Sequence, residues 1–112
     1  MNLPKSLKVG GHQYTVVFPY VFTERSDTTG QCDHNMKLIR VASEVGNEPR
    51  NQSAIMVTFI HEVLHAVDDT LGQSMFHGTE GESCVEALSE GIYQVLVDNG
   101  YLGDYYGKKK TS

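Results

Sequence analysis

Tryptophan is absent from this chain of 112 residues, cysteine occurs only twice, and no apolar run is long enough to cross a membrane. A spanning helix needs about 20 consecutive apolar residues, so no membrane partner is expected. Cys32 and Cys84 are too few for a disulfide framework, and neither belongs to a CxxC pair. That argues against a cysteine-rich structural zinc site and for free thiols in a reducing compartment. Pro4, Lys5 and Lys8 interrupt the first residues, where a secretory leader would need an apolar stretch. The default location is therefore the bacterial cytoplasm, or the host cytoplasm for a phage-encoded chain.

Basic charge is scarce too. Nine Lys and Arg face 14 Asp and Glu, for a net charge of −5. Nucleic-acid binding needs a basic face, and the only basic cluster is Lys108-Lys109-Lys110, so no nucleic-acid partner is expected. Hydrophobic content is 39%, enough for one modest core whose stability a bound metal would raise. No repeat or long linker divides the chain. A single domain is expected over residues 1–107, with a disordered tail over 108–112.

What is there begins with strands. Leu7 to Phe18 reads as a hairpin around Gly10-Gly11, with Tyr14, Val16 and Phe18 alternating on one face and Pro19 ending the second strand. His12 beside the turn reads as an exposed polar residue. Gln31 to Ala42 holds two strand-like pieces around a turn at Asp33–Met36, where His34 is most simply a turn residue. Ser43 to Gln52, with Gly46, Asn47, Pro49 and Asn51, reads as a loop.

A helix follows. Ile55, Met56, Phe59, Ile60, Val63, Leu64, Val67 and Leu71 recur at helical spacing, Asn51 or Ser53 can cap its start, and Gly72 suits its end. The stretch His61-Glu62-Val63-Leu64-His65 is an HExxH pattern whose His61, Glu62 and His65 fall on the other side from that apolar arc. Residues four apart lie about 40° from each other and one turn up a helix. His61 and His65 can therefore hold one metal ion. Glu62 lies about 60° round from His65, within reach of a water on that metal. A solvated face that happens to carry two histidines is the plain alternative.

The last long element begins within Thr79–Ser83, where Thr79-x-x-Glu82 and Ser83-x-x-Glu86 both fit a capping box, and runs to about Asn99 before Gly100. The whole chain thus reads as α+β: a small antiparallel or mixed N-terminal sheet packed on two long helices. Tyr101 to Tyr106 is aromatic and suits packing back on the domain. A catalytic zinc usually keeps three protein ligands, and the second helix offers Glu82, Glu86 and Glu90 on one stripe. Spacing alone leaves the choice among them open, and Glu82 also suits a helix cap.

The pair HEVLH and Glu86-Ala87-Leu88-Ser89-Glu90 resembles the gluzincin metallopeptidases, the group of thermolysin, with twenty residues between His65 and Glu86. The resemblance implies a zinc peptidase acting on a peptide or protein. It implies His61, His65 and Glu86 as zinc ligands, Glu62 as general base, and Glu90 as an acid that orients a ligating histidine. Glu90 departs from the aspartate of that family. No histidine follows Glu86, so the role of stabilising the transition state falls to His77, Tyr93, Tyr101, Tyr105 or Tyr106. The short length and the run HEVLHAVDD are also similar to small phage and bacterial metallopeptidases of the ImmA/IrrE kind, a minimal zincin-like fold. By that likeness the strand near Met36–Ala42 is the edge that pairs with substrate, and Asp69 or Asp68 orients a histidine. The competing expectation is a catalytically silent zinc-binding regulatory domain from a phage or mobile element.

Overall fold

The computed structural model describes residues 1–25 and 27–106. Its elements run β1 (Ser6–Val9), β2 (His12–Tyr20), β3 (Gly30–Asp33), β4 (Leu38–Ala42), β5 (Glu44–Val45), β6 (Glu48–Pro49), α1 (Gln52–Leu71) and α2 (Gly78–Asp98), with a 3-10 turn at Gly103–Tyr105. The architecture is α+β, as the patterning implied. The disordered tail expected over 108–112 lies outside the described residues.

Gly10 and Gly11 turn the first hairpin with φ of 56° and 86°. Two consecutive positive φ values match the right-handed twist of the flanking strands, and glycine adopts them without steric cost. β2 does not stop at Pro19. It continues to Tyr20 after an irregularity between Val17 and Tyr20, so the missing proline N–H falls where the ladder is already broken. The four-stranded sheet has the order β1-β2-β4-β3. β2 and β4 are parallel, and the other two pairs are antiparallel. β4 is therefore internal and β3 is an edge. The expectation that Met36–Ala42 forms the substrate-pairing edge is corrected. The chain crosses to the outside first and returns through the middle, because β4 carries the more apolar strand, with Ile39, Val41 and Ala42 all buried. The segment read as a loop before α1 contains a two-stranded hairpin, β5–β6, turning at Gly46 and Asn47 with φ of 58° and 70°.

The core joins Val9, Tyr14, Val16, Ile39 and Val41 of the sheet to Ile55, Met56, Ile60 and Ala66 of α1, with Leu3 and Leu102 sealing its ends. Tyr14 is fully buried, and its hydroxyl meets Nδ1 of His34 at 2.8 Å. His34 is thus half-buried structure within the β3–β4 turn. The C-terminal aromatic segment does pack back. Asn2 donates its N–H to the Tyr105 carbonyl, and the Tyr106 hydroxyl bonds that of Tyr93 at 2.7 Å.

α1 ends at Gly72, whose φ of 70° lets its N–H reach the Asp68 carbonyl. Only residues 73–77 then separate Gly72 from α2. Asp68 holds this connection: its fully buried carboxylate accepts the N–H groups of Met75 at 2.9 Å and Phe76 at 3.0 Å. Gly81 lets α2 close onto it, because a Cβ there would stand 2.4 Å from the Phe76 carbonyl carbon. α2 begins at Gly78, with His77 as N-cap and no side-chain cap bond. Neither expected capping box forms, which leaves Glu82 without a capping role.

Candidate metal centre

The short connection sets the register between the helices. The first full turn of α2 passes over the histidines of α1, and the carboxylate that arrives there is Glu82. Its Oε2 lies 2.9 Å from His61 Nε2, and its Oε1 lies 3.2 Å from His65 Nε2. The two rings sit 4.9 Å apart, as expected for residues one helical turn apart. The ring of Phe76 closes one side, edge-on to His65 at 6.2 Å. The ligand atoms of His61, His65 and Glu82 all lie within 4.8 Å of one another, and this is the only such group among the described residues. Three donors that converge in this way can hold a metal ion.

Glu86 is not in that cluster. It lies one turn further along α2, in the wall of the same cavity, and Glu90 lies one turn beyond it. No hydrogen bond or ion pair among the described residues joins Glu90 to either imidazole. Asp69 reaches neither of them; its Oδ1 lies 3.5 Å from His77 Nε2. Asp68 acts on backbone N–H groups instead. His77, as part of that pair, and the bonded tyrosines Tyr93 and Tyr106 lie outside the cavity wall. Among the described residues Arg50 is the one cationic side chain on that wall.

Glu62 is where the helical wheel was least informative. It lies on the polar face of α1, and β3 covers that face. Gly30 makes the fit possible: a Cβ there would stand 2.7 Å from Glu62 Oε2 and 2.6 Å from Thr58 Cγ2. Glu62 is 8% exposed. Its carboxylate takes part in none of the side-chain hydrogen bonds among the described residues and faces a cavity of about 730 Å³. Burial, and then the charge of Glu82, push its pKa up to about 8. A cation held by His61, His65 and Glu82 would oppose that rise by offsetting the Glu82 charge.

Cys32 lies on the same side of β3. Burial, with the charge of Glu62 next in weight, pushes its thiol up to about 12. Cys32 and Cys84 are both free thiols.

Fold and site together define a small α+β protein with a His/His/Glu cluster able to hold a metal ion. No family model, curated protein or solved structure matches the chain. No helix among the described residues is long and apolar enough to cross a membrane.

Proposed function

We propose that this chain is a zinc-dependent metallopeptidase in which His61, His65 and Glu82 hold the metal and Glu62 is the general base. The donor set suits zinc, since two imidazoles and a carboxylate leave one coordination position open for water or substrate. The observation that carries the reading is Glu62: a buried carboxylate beside the cluster, outside it, and facing the same cavity. A closed structural site has no use for an acid there.

When bound, zinc lowers the pKa of a water molecule and polarises a carbonyl group. The chain's own residues supply the proton transfers. Glu62 accepts a proton from the attacking water and delivers it to the leaving nitrogen as the peptide bond breaks. β3 shields that carboxylate from bulk solvent on one side. Among the described residues the outer edge of β3 is unpaired in the sheet, so an extended peptide can add to it as a further strand.

The test is Glu62→Gln in zinc-loaded protein. Peptide cleavage is expected to fall by roughly 10²–10⁴-fold, with zinc content unchanged. Retained cleavage with zinc bound would overturn the mechanism.

A second reading has an observation of its own. Leu88 is 42% exposed and Val95 58% exposed on the outer face of α2, a surface suited to a partner protein. A zinc-binding interaction domain would hold the metal and cleave no peptide.

A further inference from the structure

The wall of the cavity formed by α2 carries more negative charge than the metal cluster uses. Glu86 and Glu90 follow Glu82 at successive turns, about 6 Å apart along the axis, and both line the cavity. Both are exposed, and neither forms an ion pair among the described residues. Arg50, the cation on the same wall, is committed elsewhere. It donates to the Ala42 carbonyl at 2.9 Å, the Ala54 carbonyl at 3.2 Å and Thr58 Oγ1 at 2.7 Å. Among the described residues no cationic side chain pairs with these two carboxylates. A second, independent feature marks the trench as a ligand site. Glu62, a residue more than nine-tenths buried whose carboxylate takes part in none of the side-chain hydrogen bonds among the described residues, lines it as well.

We infer that Glu86 and Glu90 determine specificity, selecting peptides that lie along α2 with lysine or arginine side chains two and four residues from the bond presented to the metal cluster. This rests on the peptidase reading for its direction. An extended peptide advances about 3.3 Å per residue, so side chains two and four residues from the cluster come level with Glu86 and Glu90. Carboxylates at a partly screened surface each favour a basic partner by about 1.4- to 5-fold. Two of them together make a preference of about tenfold, one that weakens as salt shortens the Debye length.

Binding separates this inference from catalysis. Zinc-loaded full-length Glu62→Gln protein is titrated with fluorescent blocked peptides of alanine that carry two lysines, two glutamates or neither, and anisotropy is read at low and high salt. The lysine peptide is expected to bind about tenfold tighter than the alanine peptide, with the glutamate peptide weakest. Adding Glu86→Gln and Glu90→Gln is expected to abolish the preference while zinc content stays the same. Equal binding of the three peptides, no binding of the lysine peptide, or a preference that survives both substitutions would overturn the inference. A lysine preference in a wild-type protein that cleaves none of the peptides would instead remove the peptidase reading and leave the basic specificity of the trench standing.

Discussion

Gly30→Ala is the substitution for which the structure gives the sharpest expectation. The added methyl would stand 2.6 Å from Thr58 Cγ2, 2.7 Å from Glu62 Oε2 and 3.1 Å from Glu62 Cγ. Ordinary carbon contacts lie near ~3.5–4.0 Å, so something must move by about 1 Å. The two neighbours differ in how they can yield. Thr58 is β-branched and stiff at χ1, and turning it would break the 2.7 Å bond its hydroxyl accepts from Arg50. Glu62 can give way only by moving out into the cavity. Overpacking of this kind costs about 1–3 kcal/mol, or roughly 5–12 °C in Tm for a domain of this size. A displacement of about 1 Å in a catalytic group costs on the order of 10²-fold in rate. Melting curves and peptide cleavage, each with zinc bound, test both numbers. Thr58→Ser supplies a rescue, since it removes Cγ2 and keeps the hydroxyl for Arg50. The double variant is expected to regain part of the stability and little of the activity, because the clash with Glu62 remains. An unchanged Tm together with full activity in Gly30→Ala would refute the packing of β3 against Glu62.

Glu82→Ala is expected to lower zinc affinity by at least ~10²-fold, beyond the loss from an outer-shell change, whereas Glu86→Ala leaves it nearly unchanged. Metal titration of both variants checks this, and the reverse ranking would move the third ligand to Glu86. For Asp68, burial alone would raise the pKa. The N–H groups of Phe76 and Met75, helped by His77 and His65, outweigh burial and hold it below the ordinary carboxylate range. A depressed folded-state pKa stabilises fully above the unfolded value near ~3.9, and the benefit is lost as pH falls through the folded value. Asp68→Asn is therefore expected to melt lower than wild type at neutral pH, with the gap closing in strong acid; a gap that does not depend on pH would argue against this role. With Cys32 pushed up to about 12, only about one thiol in 10⁴ is thiolate near pH 8. A disulfide reagent is then expected to label the exposed Cys84 quickly and Cys32 slowly. A fast phase that persists in Cys84→Ser would contradict the half-burial of Cys32.

Local features were legible in the amino-acid order because short-range geometry controls them. Gly10-Gly11 announced its hairpin, and Gly72 its helix end. The apolar spacing from Ile55 to Leu71 located α1 to within a turn at its start. The β5–β6 hairpin was missed because strands of two residues carry no periodicity. Pro19 reads as a strand stop in the amino-acid order, yet a bulged strand tolerates proline where the ladder needs no donor. The exchange of β3 and β4 between edge and interior was equally hidden, since strand order is a matter of which apolar surfaces find each other.

The site divides along the same line. That His61 and His65 share one side of a helix, with Glu62 beside them, follows from the helical repeat and needed no partner element. The carboxylate that completes the cluster did not follow, because Glu82, Glu86 and Glu90 are equivalent in a helical repeat. Only the packing of α2 on α1 distinguishes them. The short turn held by Asp68 and the close approach at Gly81 bring the first of the three to the imidazoles. The burial of Glu62 is nonlocal in the same way. It depends on Gly30, 32 positions earlier in the chain, and on an edge strand whose glycine leaves room for a carboxylate.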